Sequence, residues 1–528
     1  MTRQFHKNIR RLISASVFIF FLLFLMGKLP SRFIDNFEQQ LYDFRLRTDL
    51  INTPQHPSID ERIVILDIDE KSISELGHWP WSRTVLSELM ERLFNDYEIK
   101  VIGFDIVFPE QELSAADELV SELKRLPEFS SPEISGLLEQ TSTLVDGDNR
   151  LAESIAARNV VVGYTFEQFA GDEYTYQQKG VLSEPVIYQE QLSESNLELA
   201  LYNAGGFVAN YEYLTYATLY GGFFNYPRES STLRKVPLLY NYEGSFYPSL
   251  ALQTALVALE EEQVEFLFDP NSTEKSSLTL EYLKVGERII PVDGQASVYV
   301  PYRGGSYSFP YVSSVDVLNG RIDKATLRDK ILLFGTTATG LVDLRATPVN
   351  DSFPGVEVHA NIIAGILDER FKLKPSYTIA IEVIMLLILT GMLHYVLPRF
   401  GALGTFIISP LAFILVFFSG YFTWHNLNLV IPMASSILLV ATLIFLHVLY
   451  DFFVESRQKR RMNTFFEQYI PAELVKELDQ EERELTLSGD SREMTVLFSD
   501  VRNFTTLSES MEPGELTQLM NEFLTPIT

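Results

Sequence analysis

The 528-residue chain has no cysteine, so no part of its fold rests on a disulfide and no metal site in it uses a thiolate. It is also short of positive charge. Against 70 acidic residues stand 42 lysines and arginines, and residues 31–375 alone hold 53 acidic and 28 basic residues, a net of −25 out of −28. A surface of that sign is no platform for nucleic acid, because phosphate binding needs clustered Lys and Arg to replace counterions. The acidic excess reads as a solvated exterior that keeps the segment soluble. That segment has no Ser-His-Asp arrangement, no metal-spaced histidine cluster and no glycine-rich phosphate loop. A cysteine-free domain is compatible with a bacterial periplasm.

Apolar residues are plentiful and concentrated in four runs, 12–29, 377–397, 401–424 and 427–450. About 18–20 such residues suffice to cross the hydrocarbon core of a bilayer, so each run reads as a transmembrane helix. Arg3, Lys7, Arg10 and Arg11 precede the first, Arg399 lies between the second and third, and Arg457, Lys459, Arg460 and Arg461 follow the last. By the positive-inside rule these flanks share the cytoplasm, placing residues 1–11 and the C-terminal end there and the acidic segment outside. No small-residue cleavage site follows the first run, which reads as an uncleaved signal anchor. Glu382, near one end of the second run, is expected at an interface or facing the helix bundle. The protein is thus expected to be multi-pass in a bacterial inner membrane, with the lipid bilayer as its partner.

Within the acidic segment, residues 63–68 and 101–108 read as buried strands, 82–95 as an amphipathic helix, and 330–334 as a strand running into a Gly335-Thr336-Thr337-Ala338 turn. Strands alternating with helices predict a largely parallel sheet, hence an α/β domain. Asp67, Asp69 and Asp105 fall at or near strand ends, where open α/β sheets bind ligands, and they are candidates to gather around a cation or a polar signal molecule. Capping of turns and helices is the competing reading of the same three residues. Trp79 and Trp81, flanking Pro80, read as core packing, and His359 as a packed or hydrogen-bonded histidine.

Several blocks in this segment carry a family likeness: Leu41-Tyr42-Asp43-Phe44-Arg45, Asp67-Ile68-Asp69-Glu70, Gly77-His78-Trp79-Pro80-Trp81-Ser82-Arg83 and Gly103-Phe104-Asp105-Ile106. Later come Ser314-Val315-Asp316-Val317-Leu318, Asp343, Thr347-Pro348, Gly355 and His359-Ala360-Asn361. In this order they resemble the CHASE2 extracellular sensor domain, over roughly residues 35–370. That family's mid-domain Asp-Gly pair is replaced here by Ser230-Ser231-Thr232-Leu233-Arg234. The resemblance implies a periplasmic sensor for an unknown signal.

Beyond the last run, residues 457–490 read as linker helices. Phe465, Phe466, Tyr469, Ile470, Leu474, Val475 and Leu478 recur at helical spacing, with Pro471 suited to a first turn. Such a stripe suits pairing with a second copy, hence a homodimer, or packing onto a following domain. Residues 494–500 form a β-rich run ending in Asp500, and 501–509 turn into a helix continuing through Asn521. A strand, an acid, a tight turn and a helix suit metal-nucleotide chemistry.

The string from about residue 462 to the end, with Phe466-Glu467-Gln468-Tyr469-Ile470-Pro471 and Phe498-Ser499-Asp500, resembles the opening of the class III adenylate and guanylate cyclase domain. That likeness implies that residues 491–528 begin an α+β, ferredoxin-like domain. It implies that Asp500 is a metal-binding aspartate, joined by the Val501 carbonyl, and that Asn503, Phe504 and Thr505 line the triphosphate. The implied cofactors are two Mg2+ or Mn2+ ions. The implied reaction converts ATP, or GTP, to a cyclic nucleotide and pyrophosphate by attack of the ribose 3′-hydroxyl. Asn503 stands where the family commonly has Gly, a position at which Asn tolerates a left-handed backbone. The second metal aspartate and the base-selecting and transition-state residues would lie past Thr528, so the 528-residue piece is expected to be inactive. The alternative is a non-enzymatic membrane sensor or scaffold with a vestigial cyclase start. A kinase output ranks last, since nothing in the chain resembles a phosphoacceptor helix or an ATP lid.

Overall fold

The computed structural model describes residues 3–52, 59–112, 123, 125, 146–171, 173–188, 199–227, 231–268, 280–467, 493 and 495–526. It divides into two units, Met1–Asp451 and Phe452–Thr528.

The core of the first unit is a parallel sheet whose strands lie in the order Tyr311–Ser313, Ile63–Ile68, Ile331–Thr336, Val101–Phe104, Val160–Gln168 and Tyr220–Phe223. One row across it joins Tyr311, Ile65, Leu333, Gly103, Val161 and Tyr220. Side chains alternate between faces along a strand, and the core divides accordingly. Ile63, Ile65, Leu333, Val101 and Val161 pack on one side with the helices Leu250–Leu259 and Gly355–Asp368. Val64, Leu66, Leu332, Phe334, Ile102 and Phe104 pack on the other with Arg83–Glu91 and Gly147–Ile155. Every residue of Ile63–Ile68 is buried, as a strand covered by helices on both faces requires. The expected α/β domain is therefore present.

Local chemistry starts the helices where the sequence signals them. Ser82 caps Arg83–Glu91 by accepting from Val85 N at 3.4 Å, and the helix widens into a single π turn at Arg92–Asp96. Trp81 is buried and donates from Nε1 to Gly77 O at 3.0 Å, with Trp79 edge-on to it at 5.3 Å, so the pair is core packing.

The second strand is shorter than its apolar run: pairing stops at Phe104, not residue 108. Asp105 N makes the last ladder bond, to Phe334 O at 2.9 Å, and Phe108 N turns instead to the buried Asn210 Oδ1 at 2.7 Å. Phe108 packs against Trp79 and under the Arg83 guanidinium, and Ile106 packs against the same core cluster. The strand expected at 330–334 is Ile331–Thr336.

Among the described residues, four helical segments are long and apolar enough to cross a membrane: Asn8–Leu25, Thr378–Val396, Ile407–Asn426 and Ala434–Val454. Val17, Phe21, Leu386, Leu389, Ala412, Val416, Val440 and Leu443 share one cluster, so the four pack together, and Glu382 is buried within them. Two expected boundaries are corrected. The connection expected at 398–400 is wider, because the second and third membrane-length segments are Thr378–Val396 and Ile407–Asn426, with locally helical backbone between them. The chain nonetheless doubles back, because Ser419 Oγ lies 3.8 Å from Met385 Sδ, residues that a straight helix would hold about 50 Å apart. The last helix, Ala434–Glu467, starts seven residues after the expected Leu427. Asn428 adopts a left-handed φ of 54°, and Leu373 pairs with the Asn428–Val430 backbone at 2.8 Å, which occupies the chain before Pro432.

In the second unit, the helices Phe504–Ser510 and Pro513–Leu524 replace the single helix expected through Asn521. Pro513 ends the first by lacking an amide and opens the second at its first turn. Residues 495–500 form no strand, and no strand pairs among the described residues 495–526, so the β-run expected up to Asp500 is absent there and no start of a ferredoxin-like sheet is seen. A ladder needs a partner for its amides and carbonyls, and none is supplied here. Phe465 and Phe466 lie in the last helix. Tyr469, Ile470, Pro471, Leu474, Val475, Leu478 and Met494 lie outside the described residues.

A test of the sheet is Gly163, where a Cβ would press into the Phe104 carbonyl oxygen and stand 2.8 Å from Phe224 Cδ1. Gly163→Ala is expected to cost about 1–3 kcal/mol. Thermal unfolding of the detergent-purified chain measures it, and an unchanged midpoint would refute this close strand crossing.

Candidate functional site

The carboxyl ends of the parallel strands carry the three aspartates singled out from the sequence. Asp67 is buried and accepts from Thr337 N at 2.8 Å and from Thr337 Oγ1 at 2.5 Å. Asp69 caps the helix Glu70–Leu76 by accepting from Ser72 N at 2.8 Å, and it also accepts from Ser313 Oγ at 2.9 Å. Both acids bind protein groups that close the ends of neighbouring strands. Asp105 lies elsewhere, because the Ile331–Thr336 strand separates its strand from that of Asp67 by two spacings, about 10 Å. The structure thus brings Asp67 and Asp69 together and leaves Asp105 apart. Among the described residues, no group of three or more His, Asp or Glu could hold a metal.

Asp105 has its own surroundings, which sequence reasoning did not assemble. His359 Nε2 stands 3.8 Å from Asp105 Oδ1, and the Tyr226 hydroxyl lies 3.1 Å from His359 Nε2. Burial raises the Asp105 carboxyl well above the ordinary range, the nearby Asp343 raises it further, and Arg345 opposes both. Burial lowers His359 to about 3. Burial likewise lifts Glu357, whose Oε1 accepts from Tyr307 N at 2.6 Å, to about 7. Asp67 rises to about 6 because burial outweighs its two bonds from Thr337. These groups are all biased toward the neutral form, which suits a packed polar core.

A second constellation sits where the α/β domain meets the membrane helices, on the helix Arg32–Asn52 that carries the Tyr42-Asp43-Phe44-Arg45 block. Its domain-facing side pairs Asp43 with Arg234 through two bonds of 2.7 and 2.8 Å and stacks Tyr42 on Tyr299 at 5.0 Å. Its other side holds the turn before the last span. Glu38 Oε2 accepts from Met433 N at 2.7 Å and Ala434 N at 2.8 Å, satisfying first-turn amides that have no partner inside a helix. Glu38 Oε1 accepts from Arg45 at 2.9 Å, and Arg45 also donates to Ile431 O at 2.9 Å and lies over the Trp424 ring. Trp424 Nε1 donates to Asp49 Oδ2 at 2.8 Å, and Lys372 Nζ donates to Trp424 O at 2.8 Å. The helical spacing of Glu38, Arg45 and Asp49 was visible in the sequence, but Ile431, Met433, Ala434 and Trp424, which they hold, lie 375 to 396 residues away.

In the second unit, Asp500 is exposed and precedes a turn at Asn503, whose φ of 60° is left-handed. Phe504 N donates to Val501 O at 3.2 Å, and Phe504 and Thr505 open the following helix, both exposed. Asp500 and the Val501 carbonyl are hard oxygen donors of the kind Mg2+ or Mn2+ takes. They are too few to enclose an ion.

A doubly covered parallel α/β domain is tied, through a latch of Glu38, Arg45 and Asp49, to a bundle of helices long and apolar enough to cross a membrane. Residues 15–393 match the CHASE2 domain, and the chain belongs to that family of signalling sensor domains. No curated protein and no solved structure matches the chain.

A carboxyl whose folded pKa exceeds its unfolded value stabilises the fold when protonated. For Asp67 that contribution is complete below about pH 4 and lost as pH rises through about 6. Asp67→Asn should therefore gain stability relative to the unsubstituted chain across that window, by roughly 2 kcal/mol. Urea unfolding at pH 4, 5, 6 and 7 checks it, and a pH-independent difference would show that Asp67 carries no such shift.

Proposed function

We propose that the chain is the sensor, membrane and linker portion of a transmembrane class III nucleotidyl cyclase. In this reading the CHASE2 domain is periplasmic, both termini are cytoplasmic, and the protein works as a homodimer in a bacterial inner membrane. Output is synthesis of cyclic AMP from ATP, or of the guanine counterpart from GTP. The observation that carries the reading is the order of parts: sensor, membrane helices, basic collar, Phe466-Glu467-Gln468-Tyr469-Ile470-Pro471, then Phe498-Ser499-Asp500 and the turn at Asn503.

The cytoplasmic chemistry rests on a few residues. Asp500 and the Val501 carbonyl would hold Mg2+ or Mn2+, which when bound would acidify an attacking hydroxyl and offset triphosphate charge. The left-handed Asn503 turns the backbone so that Phe504 and Thr505 start a helix beside Asp500. Further carboxylates must come from outside the described residues.

Two experiments test the reading. The product of the gene extended past codon 528 is expected to make cyclic nucleotide in vesicles with Mn2+, and Asp500→Asn to lower the rate by at least about 100-fold, by analogy with other electrostatic groups of active sites. Undiminished synthesis by the Asp500 variant would remove the metal role, and absence of synthesis by the extended product would leave a non-enzymatic sensor. For topology, the cysteine-free background allows single cysteines at Glu88 and Glu515, both exposed. A membrane-impermeant maleimide should label Glu88→Cys in spheroplasts and Glu515→Cys only after lysis, and the reverse pattern would invert the orientation.

A further inference from the structure

The carboxyl edge of the sheet is closed by its own hydrogen bonds, but an open space lies beside the latch. A cavity of about 560 Å3 is walled by the helix Arg32–Asn52, the segments 299–303 and 365–372, and the turn after the third span. Its volume falls within the range of about 300–1,000 Å3 typical of small-molecule sites. Tyr42, Tyr299 and Phe371 give it an aromatic wall, and Arg303, Arg370 and Lys372 give it three cations against the single acid Asp49.

The cations are not equally engaged. Arg303 is neutralised from behind by Asp60 at 2.9 Å and by Asp368. Lys372 reaches Asp49 only at 3.8 Å, and Asp49 is shared with Trp424 Nε1 and with His425 at 3.4 Å. Burial holds the Lys372 ammonium below its ordinary range although Asp49 opposes this, the condition that an added anion relieves. Arg370 has no side-chain partner among the described residues, and it is exposed at the wall. A locally basic cavity on a segment of net charge −25 runs against its surroundings.

We propose that this cavity is the sensor's ligand site and that it takes an organic anion, a phosphate or carboxylate on an apolar stem. Arg370 and Lys372 grip the anionic group, and the stem lies against Tyr42, Tyr299 and Phe371. A guanidinium presents a planar fork suited to such oxyanions, and the aromatic wall excludes water from the stem. The position explains how occupancy reaches the membrane. Lys372 also donates to Trp424 O and Asn428 Oδ1, so an anion that draws it inward loosens the turn leading to the Glu38-capped last helix. His425 and Asn428 put the cavity at the end of a membrane span, where the anion can arrive dissolved or as a lipid headgroup. The proposal deepens the sensor reading and does not depend on a cyclase output.

The test uses the full chain and reads binding without catalysis. In detergent, phenyl phosphate is expected to raise the thermal midpoint saturably, with inorganic phosphate much weaker. In nanodiscs, phosphatidylglycerol is compared with phosphatidylcholine. A response to phenyl phosphate identifies a dissolved ligand, and stabilisation by phosphatidylglycerol alone identifies a headgroup; either supports the site. Arg370→Ala, at an exposed position that leaves the latch intact, should weaken binding about tenfold or more, as loss of a charge-assisted contact does. Arg370→Lys should restore part of it. Failure of both probes, or stabilisation that survives Arg370→Ala, overturns the proposal, whatever the outcome at Asp500.

Discussion

The Glu38 carboxylate is the point at which the two halves of the first unit are joined. It sits between the Arg45 guanidinium and the amides of Met433 and Ala434, so one side chain both balances a buried cation and starts the last membrane helix. Burial raises its carboxyl and lowers the Arg45 guanidinium from their usual values, so each charge is maintained by the other. Removing one partner of such a pair strands the other in a poorly solvated place, which is costlier than losing an exposed salt bridge. Opening the latch by withdrawing one partner therefore costs more than breaking a surface ion pair.

Around this joint the domain is built for rigidity. Its central strands are buried on both faces, and the acids at their ends are consumed in capping and in bonds to Thr337 and Ser313. The sheet's carboxyl edge, often a ligand site in open α/β folds, has here become a largely neutral polar core around Asp105, His359 and Tyr226. The space left for a ligand lies instead at the membrane-proximal end, beside the residues that hold the last helix.

Much of the architecture was legible in sequence because it depends on short-range pattern. Residues 63–68 read as a buried strand from an apolar run broken only by Asp67, and the amphipathic pattern of 82–95 announced its helix. Legibility ended where apolar character served packing rather than pairing. Residues 106–108 look like strand but Phe108 N turns to Asn210, and 427–433 look like helix but the backbone of Asn428 and Val430 pairs with Leu373. Residues 495–500 show the same limit, since β-rich composition makes a strand only when another strand accepts its hydrogen bonds.

By itself the sequence determined the parts: an acidic α/β segment without cysteine, four membrane-length helices, and a C-terminal run whose Asp500 and Asn503 stand in a recognisable order. Local propensity and hydrophobic length suffice for those, because each is decided within about 20 residues. Only the tertiary structure decided which aspartates are spent as caps, that Asp43 meets Arg234, and that Glu38 reaches Met433. Such pairings span 190 to 400 residues of chain, and no periodicity along a sequence encodes them. They follow from how the domain and the membrane helices close on each other, and the cavity beside them exists only once that closure is made.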